Sequence, residues 1–301
     1  MLQWYKESDD KVIYNDFSIK KGNYISIIQN VETGAKRVID SPIYSVSNNG
    51  DFALTLNFER LALMRPDYGY FNKQISWKDL PPDNKDGIWY IDLINNKKRL
   101  ILSLEDLKRF KPDNTMIGAK HKVNHIDISP NGKRFMFLHR WVSSNGRFMR
   151  LLTANSKDGS DLAYITGNTM VSHNCWKSNE EIISFCRTKQ GKNRYVLFND
   201  FSEKETIIGE DDFSKDGHPS VSPDGRWMLT DDYPDISRFS RLYLFDLIKK
   251  KKYIVVQYMS FRFVYFKSRI KVYKKLLYSR VLIVNHMCNS GFLEISRFLE
   301  K

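Results

Sequence analysis

The sequence predicts an all-β protein, specifically a β-propeller built from four-stranded blades. Three observations predict it: a 14% aromatic content, a recurring strand–turn–strand pattern, and a nearly constant spacing between copies of that pattern. Aromatic and β-branched side chains suit the pleated, half-buried surface of a sheet. The 301 residues, 42% of them hydrophobic, are sufficient for one large all-β domain with a real core.

The recurring unit is a short apolar strand, a Ser-Pro-Asn/Asp-Gly turn or a close variant, and a second apolar strand. The clearest turns lie at residues 129–132 and 222–225, a third lies at 47–50, and a degraded copy covers 173–185. Asn-Gly and Asp-Gly supply the positive φ angles that tight hairpin turns require, and Pro presets φ just before them. Each copy therefore predicts a β-hairpin.

The spacing of the turns predicts the blades. Turns lie near positions 50, 132, 180 and 225, and the last three are 45 to 48 residues apart. This is the period of a four-stranded propeller blade. The larger first gap predicts an insertion at about 59–85 that forms a long loop, and residues 12–38 predict one more blade. We therefore expect five recognisable blades, with the closing blade missing or degenerate. The alternative is a β-sandwich, against which the fixed period argues.

The composition changes abruptly after residue 248. Residues 249–301 contain no Asp, no Pro and one Gly, and their apolar residues fit neither the strand nor the helix period. We therefore divide the chain into a propeller at 1–248 and a basic, aromatic-rich tail at 249–301. Three interpretations of the tail remain open: a basic amphipathic segment that binds membranes or partners, a closing blade of unusual sequence, or out-of-frame sequence.

The charge distribution argues against a nucleic-acid-binding protein. The net charge is +13, but residues 249–301 hold 13 Lys/Arg and 2 Asp/Glu, which leaves 35 basic and 33 acidic residues in 1–248.

Three cysteines without CxxC spacing make disulfides and zinc unexpected. The first ten residues lack an apolar region, and no apolar run is long enough to span a bilayer. We therefore expect a cytoplasmic location and no transmembrane segment.

Three histidines occupy matching places in the repeats. His125, His173 and His218 each stand three to five residues before a turn, and His139 follows the second strand of its blade. In a propeller, equivalent positions of the innermost strands face a common channel, where imidazoles can bind a metal or an anion. The alternative is that each histidine is a structural latch between blades.

The ordered series of these motifs resembles that of the oligogalacturonate lyases, whose fold is a TolB-like propeller of seven blades. The resemblance covers about residues 120–230. The series runs His125, Ser129-Pro130, Phe137-Leu138-His139, an arginine in residues 147–151, Ser172-His173-Asn174-Cys175-Trp176, and Gly217-His218-Pro219.

The resemblance implies β-elimination on short uronate oligosaccharides, assisted by a divalent metal, typically manganese. It implies that His218 is a metal ligand, that His173 contacts the substrate, and that Arg150 is the base, with Arg147 as an equally placed rival. The family's remaining ligands lie in a later blade, where this chain has only His286. One imidazole is a poor site for a divalent metal, so we expect an incomplete site and impaired activity.

The insertion is a second candidate surface for an acidic sugar, because it combines arginines with aromatic rings. We expect Arg60, Arg65, Tyr68 and Tyr70 to contact substrate together with His125 and His139. The alternative is a loop folded against the propeller. The acidic residues at 231–235 indicate either a cation site or a solvated turn.

Three function hypotheses follow. The first is a carbohydrate-active propeller that acts on an acidic oligosaccharide by metal-assisted elimination. The second is a non-catalytic propeller that binds a glycan or a partner protein. The third, which the near-neutral charge of residues 1–248 disfavours, is a nucleic-acid or membrane binder that acts through the tail. A five-bladed propeller also leaves an open sheet edge, which predicts self-association.

Overall fold

The strands of this protein form five four-stranded sheets, and the strands of each sheet are neighbours in chain order. The structure is a computed structural model, and it describes residues 1–5, 10–168 and 170–259. The sheets are antiparallel meanders of the kind that forms a propeller blade. The predicted fold class, an all-β propeller with five recognisable four-stranded blades, is confirmed.

The chain divides into two compact units. Unit 1 comprises Met1–Val171 and Asp200–Glu203, and unit 2 comprises Ser172–Asn199 and the chain from Lys204 onward. Unit 1 holds blades 1 to 3, and unit 2 holds most of blade 4 and all of blade 5.

The three blades of unit 1 contain β1 (Leu2–Trp4), β2 (Lys11–Ser18), β3 (Asn23–Asn30) and β4 (Lys36–Ile39); β5 (Ser45–Val46), β6 (Phe52–Leu56), β7 (Gly87–Asp92) and β8 (Lys97–Ser103); and β9 (Lys120–Ile128), β10 (Arg134–Ser143), β11 (Gly146–Asn155) and β12 (Ala163–Asn168). Blade 4 contains β13 (Val171–Trp176), β14 (Glu181–Arg187), β15 (Asn193–Asn199) and β16 (Thr206–Ile208). Blade 5 contains β17 (Ser220–Val221), β18 (Trp227–Asp231), β19 (Phe239–Asp246) and β20 (Lys251–Met259).

A buried serine explains the repeated turn. In residues 129–132 the N–H of Gly132 donates to the carbonyl of Ser129 at 2.8 Å, and Gly132 takes the left-handed φ of 74°. The hydroxyl of Ser129 accepts the N–H of Arg134 at 3.0 Å, and that of Ser222 accepts the N–H of Trp227 at 2.9 Å. The serine thus satisfies a backbone donor where the hairpin begins.

The predicted insertion lies between β6 and β7, and it is more ordered than a loop. It contains the helix α1 (Phe58–Met64) and 3-10 turns at Pro66–Tyr68, Trp77–Asp79 and Asp83–Lys85. Asn57 caps α1, because its side-chain oxygen accepts the N–H groups of Glu59 and Arg60. A second helix, α2 (Leu104–Arg109), follows β8 and has Ser103 as its N-cap.

The core of unit 1 is apolar and continuous across blades 2 and 3. Leu54, Phe135, Phe137 and Leu152 are fully buried in one cluster with the apolar face of α1. Alternation along β6, β10 and β11 delivers these side chains to the interior. Burial of such side chains is worth about 1.5–3 kcal/mol each.

The fifth sheet extends beyond the boundary that the composition indicates. β20 pairs with β19 from Lys251 to Met259, so the start of the basic segment belongs to blade 5 and not to a separate tail after residue 248. A lysine-rich strand is compatible with a sheet edge, since edges tolerate charge. The three interpretations of the rest of the tail, with His286, fall on residues 260–301, outside those described. None of the helices in the described ranges is long and apolar enough to cross a bilayer.

Candidate functional site

A bulge in β9 sets the position of His125 in unit 1. The register of β9 against β10 shifts between Met136 and Leu138, and His125 takes a φ of 51°. Its N–H therefore leaves the strand ladder and donates to the phenol oxygen of Tyr44 at 3.0 Å. Bulges of this kind redirect side chains and are frequent beside functional sites.

Cationic side chains share one face of blade 3. Lys122 on β9 lies directly opposite Arg140 on β10, and Arg147 on β11 pairs with Val142, which is two residues from Arg140. Opposed residues of antiparallel strands project to the same face with Cβ atoms about 5 Å apart, and like charges there repel. The sequence thus builds an unfavourable charge pair into the sheet, which calls for an anionic partner.

The C-terminal end of α1 adds Arg65 and Tyr68 to this region. The guanidinium carbon of Arg65 lies 4.3 Å from the centre of the Tyr68 ring, which in turn lies 5.9 Å from the ring of His125. We call Lys122, Arg140, Arg147 and Arg65 the cationic cluster. In the part of the chain that the structure describes, no carboxylate forms an ion pair with any of the four.

Burial makes the cationic cluster electrostatically strained. Lys122 is only 6% exposed, and burial, followed by the charges of Arg140, Arg65 and Arg147, lowers its pKa to about 7. Burial likewise lowers the pKa of Arg140 to about 10. The Nε of Arg140 is buried without a hydrogen-bond acceptor in the described residues. A bound carboxylate would supply both the missing acceptor and the missing charge.

Arg150 and Arg147 lie on opposite faces of β11, because their positions differ by three, an odd number, in a strand of period two. Arg150 is 3% exposed and fully engaged: it donates to the Nδ1 of His139 at 3.1 Å and to the carbonyls of Lys111 and Leu107 at 2.9 and 2.6 Å. Arg150 therefore anchors α2 to blade 3, and Arg147, which is exposed, is the arginine on the cationic face.

His139 belongs to the same internal network. It is fully buried, and its Nε2 lies 2.9 Å from the Nδ1 of His121. Because Arg150 must donate to Nδ1 of His139, the proton of His139 lies on Nε2. Burial keeps the pKa of His139 well below its usual value and lowers that of His121 to about 4. Both rings are neutral and structural, which differs from the predicted substrate contact for His139.

Two residues expected at the substrate are instead held inside the insertion. Arg60 donates to Asp86 at 2.6 Å and lies 3.3 Å from Asp83, so its charge is neutralised internally. Tyr70 packs on Phe58 with ring centres 4.7 Å apart, and its phenol oxygen accepts a hydrogen bond from Asn15 at 3.0 Å. Arg60 projects from α1 toward acidic residues of the insertion, whereas Tyr70 follows the 3-10 turn at Pro66–Tyr68 and contacts blade 1.

Unit 2 brings His173 and His218 together. His173 lies in β13 and His218 just precedes β17, and their ring centres are 4.1 Å apart. The Nδ1 of His173 lies 3.1 Å from Asp216, and the Nδ1 of His218 lies 2.9 Å from Asp231. The hydrogen bond to Asp231 raises the pKa of His218. His125 belongs to unit 1, so the convergence of all three histidines stays a prediction.

The histidine pair has part of the chemistry of a metal site. A carboxylate at each Nδ1 fixes the ring and directs Nε2 outward, an arrangement typical of metal-binding histidines. Within the described ranges, however, no group of three His, Cys, Asp or Glu side chains could hold a metal. Two imidazoles are too few ligands for a divalent ion, so the donors present do not fit a metal centre.

The acidic residues at 231–235 are largely paired within unit 2. Besides the contact of Asp231 with His218, Asp232 accepts the phenol proton of Tyr243 at 3.0 Å and lies 3.4 Å from Arg241. Arg241 also lies 3.3 Å from Asp235. The turn is thus a network of ion pairs.

Sequence reasoning missed Lys122 and Arg140. Both stand within strands of mixed apolar and polar residues, at positions 120–128 and 134–143. A charged residue at a buried strand position was the available signal, but only the pairing register reveals that two such residues oppose each other. Asp231 was noticed in the sequence only as part of the acidic residues at 231–235, and its pairing with His218, like that of Asp216 with His173, required the fold.

Comparison with known proteins establishes the fold and no more. The chain matches the crystal structure of TolB from Acinetobacter baumannii with a TM-score of 0.50 and 15% identity over 84% of this chain and 53% of that one. It matches an oligogalacturonate lyase in complex with manganese with a TM-score of 0.55 and 9% identity. That match covers 86% of this chain and 65% of the lyase chain. The β-propeller domain of the Trilobed protease from Pyrococcus furiosus matches with a TM-score of 0.50 and 13% identity. That match covers 84% of this chain and 70% of the protease-domain chain.

These likenesses show that the fold is a β-propeller of the kind found in TolB. The chain spans about half the length of TolB and about two thirds of that of the lyase. No protein family model matches the chain, and no curated protein matches it in sequence.

Proposed function

We propose that this protein binds an acidic oligosaccharide of the uronate type through the carboxylates of the sugar. The observation that supports it most is Lys122, which is buried, opposite Arg140, and without a carboxylate partner in the described residues. Two basic groups that oppose each other away from water lack the counter-charge that would complete the site and favour their protonated forms. A carboxylate ligand is such a counter-charge.

The surroundings of the cationic cluster favour a sugar acid over other anions. Arg65 and Arg140 carry planar forks that match a carboxylate, and Tyr68, whose ring stacks with Arg65, adds an aromatic surface of the type that packs on sugar rings. The near-neutral balance of residues 1–248 argues against a nucleic acid, which would require a broad basic surface. The cytoplasmic location and the self-association stay predictions from the sequence.

Calorimetry with a uronate trisaccharide tests this proposal. We expect Arg140→Met and Arg65→Met each to weaken binding about tenfold or more, because a charge-assisted hydrogen bond is worth about 1.5–3 kcal/mol. Arg109→Met is the matched control, since Arg109 is exposed and, among the described residues, forms an ion pair with Glu105 of its own helix alone. The methyl ester of the trisaccharide should bind at least about tenfold more weakly for the same reason.

Binding of the acid and the ester with equal affinity, or equal losses for the control and the two variants, would contradict the proposal. Circular dichroism and melting curves of each variant show whether a loss of binding comes from misfolding. Because Arg65 lies on the insertion and Arg140 within blade 3, the two variants perturb different parts of unit 1.

A second candidate function is β-elimination on the same class of ligand, and the His173–His218 pair favours it. The resemblance to oligogalacturonate lyases assigns these two residues to the substrate and to manganese, and they are neighbours here. Two observations weigh against the full family chemistry: the donors for a metal are too few in the described residues, and Arg150 is held by His139 and two carbonyls.

A further inference from the structure

The sequence contains three Asn-Gly pairs, at residues 49–50, 131–132 and 145–146. This dipeptide is the one most prone to spontaneous deamidation, because glycine has no side chain to keep its main-chain nitrogen away from the asparagine side chain. The first two pairs lie in the turns that begin blades 2 and 3, and the third lies at the hairpin between β10 and β11. Their local chemistry is the same, so a difference in their reactivity must come from the fold.

The turn that begins blade 3 holds Asn131 in an unreactive position. Its Oδ1 accepts the hydroxyl proton of Ser129 at 2.9 Å and the N–H of Lys133 at 3.0 Å. The N–H of Gly132 donates to the carbonyl of Ser129 at 2.8 Å. Both reacting groups must therefore lose hydrogen bonds before the side chain of Asn131 can meet the nitrogen of Gly132.

The turn that begins blade 2 protects Asn49 through its glycine. Asn49 is exposed, but Gly50 is buried, and its N–H donates to the carbonyl of Ser47 at 2.9 Å. The carbonyl of Gly50 also accepts the phenol proton of Tyr5 at 2.7 Å. The nitrogen that would react is thus held on both sides and shielded from the water that must remove its proton.

The hairpin between β10 and β11 gives Asn145 much less protection. Asn145 and Gly146 are both exposed. The main-chain N–H of Asn145 donates to the Oγ of Ser143 at 3.3 Å, whereas its side chain has no hydrogen bond within the described part of the chain. Ser143 and Gly146 form the last pair of the ladder, and the end of a hairpin opens more readily than its buried part. The nitrogen of Gly146 is therefore accessible whenever this end opens.

We propose that Asn145 is a site of spontaneous deamidation in the folded protein. The main-chain nitrogen of Gly146 loses its proton to solvent and attacks Cγ of Asn145. The new C–N bond forms, the bond from Cγ to Nδ2 breaks, and ammonia leaves. Water then opens the cyclic imide at either carbonyl and gives aspartate or isoaspartate. One water enters and one ammonia leaves, so the reaction needs neither an oxidant nor a reductant.

The modification changes the charge beside the cationic cluster. Arg147 is the only charged residue of the hairpin segment 143–147, so a carboxylate at position 145 makes this segment neutral. Isoaspartate also lengthens the main chain just before β11. The site thereby links the age of the protein to the charge of this surface, and the inference does not depend on the proposed binding of a uronate.

Peptide mapping by mass spectrometry, after incubation of the folded protein at mildly alkaline pH, tests the proposal. Trypsin releases the three pairs in separate peptides, because lysines and arginines lie between them. We expect the amide of Asn145 to become an acid at least about tenfold faster than those of Asn49 and Asn131, since the hairpin end opens with less free energy. In urea the three rates should agree within about threefold, because the fold no longer protects any pair.

Asn49 and Asn131 are matched controls within the same molecule, since each precedes a glycine. Asn145→Gln is the control variant, because the longer side chain forms a cyclic imide far more slowly. Its melting curve should match that of the wild type, and ion-exchange chromatography should show less of the acidic species after incubation. Equal rates of the three pairs in the folded protein, or reaction of Asn49 or Asn131 before Asn145, would overturn the proposal.

Discussion

At the scale of single residues, the charges of this protein separate into satisfied and unsatisfied groups. Arg60, Arg150 and Arg241 have carboxylate, carbonyl or imidazole partners and serve the fold. Lys122 and Arg140 oppose each other without a carboxylate in the described residues, at a cost that folding alone does not explain. This contrast, more than any motif, identifies the candidate binding site.

The histidine pair allows a prediction about pH. Asp231 raises the pKa of His218 above 6.5, so the contact stabilises the folded protein fully below pH 6.5. That stabilisation is lost as the pH rises through the raised, folded-state pKa. In Asp231→Asn the pKa of His218 should fall toward 6.5 or below, and the wild type should exceed the variant in melting temperature more at pH 5.5 than at pH 9.

NMR titration of the His218 ring protons, with melting curves at the two pH values, checks this expectation. The ring protons of His139 provide an internal control, because that buried histidine lies in unit 1 and should not titrate in the accessible range. An unchanged His218 pKa in Asp231→Asn would contradict the role given to this carboxylate.

At the scale of elements, a close backbone approach holds His218 beside its carboxylate partner. Gly217 precedes His218, and a Cβ at this position would collide with the main-chain oxygen of Asp231 in β18. A side chain here would therefore push the His218 segment away from its carboxylate partner. The sequence motif Gly217-His218 thus has a steric reason as well as a chemical one.

We expect Gly217→Ala to destabilise the protein by about 1–3 kcal/mol and to lower the pKa of His218, because the overpacked turn separates the pair. Urea unfolding and the same NMR titration measure the two effects. The control is Gly191→Ala, which meets no atom within 4 Å and has only the strain of its φ of +83°. Equal pKa values of His218 in both variants would contradict the steric explanation.

At the scale of the whole molecule, the sequence predicted the architecture better than the site. The Ser-Pro-Asn/Asp-Gly turns and their spacing depend on local backbone chemistry, so they predicted the five blades and the insertion before β7 correctly. The domain boundary predicted at residue 248 was less reliable. The lysine-rich chain that leads into the edge strand β20 has no typical turn residues that would mark it as part of a blade.

The site was harder to predict because its geometry depends on register and packing. Spacing alone could not distinguish Arg147 from Arg150, although one residue faces the cationic cluster and the other anchors α2. Arg60 and Tyr70 looked suited to a sugar, but contacts within the insertion and with blade 1 engage them. His173 and His218 met as the repeats implied, since both precede turns in successive blades.

The most direct test of the central claim is a crystal structure of the protein with a uronate trisaccharide. We expect one carboxylate of the sugar within hydrogen-bond distance of Arg140 and Arg65, at about 2.7–2.9 Å, with a sugar ring against Tyr68. A trisaccharide bound elsewhere, with Lys122 and Arg140 still lacking an anionic partner, would contradict it.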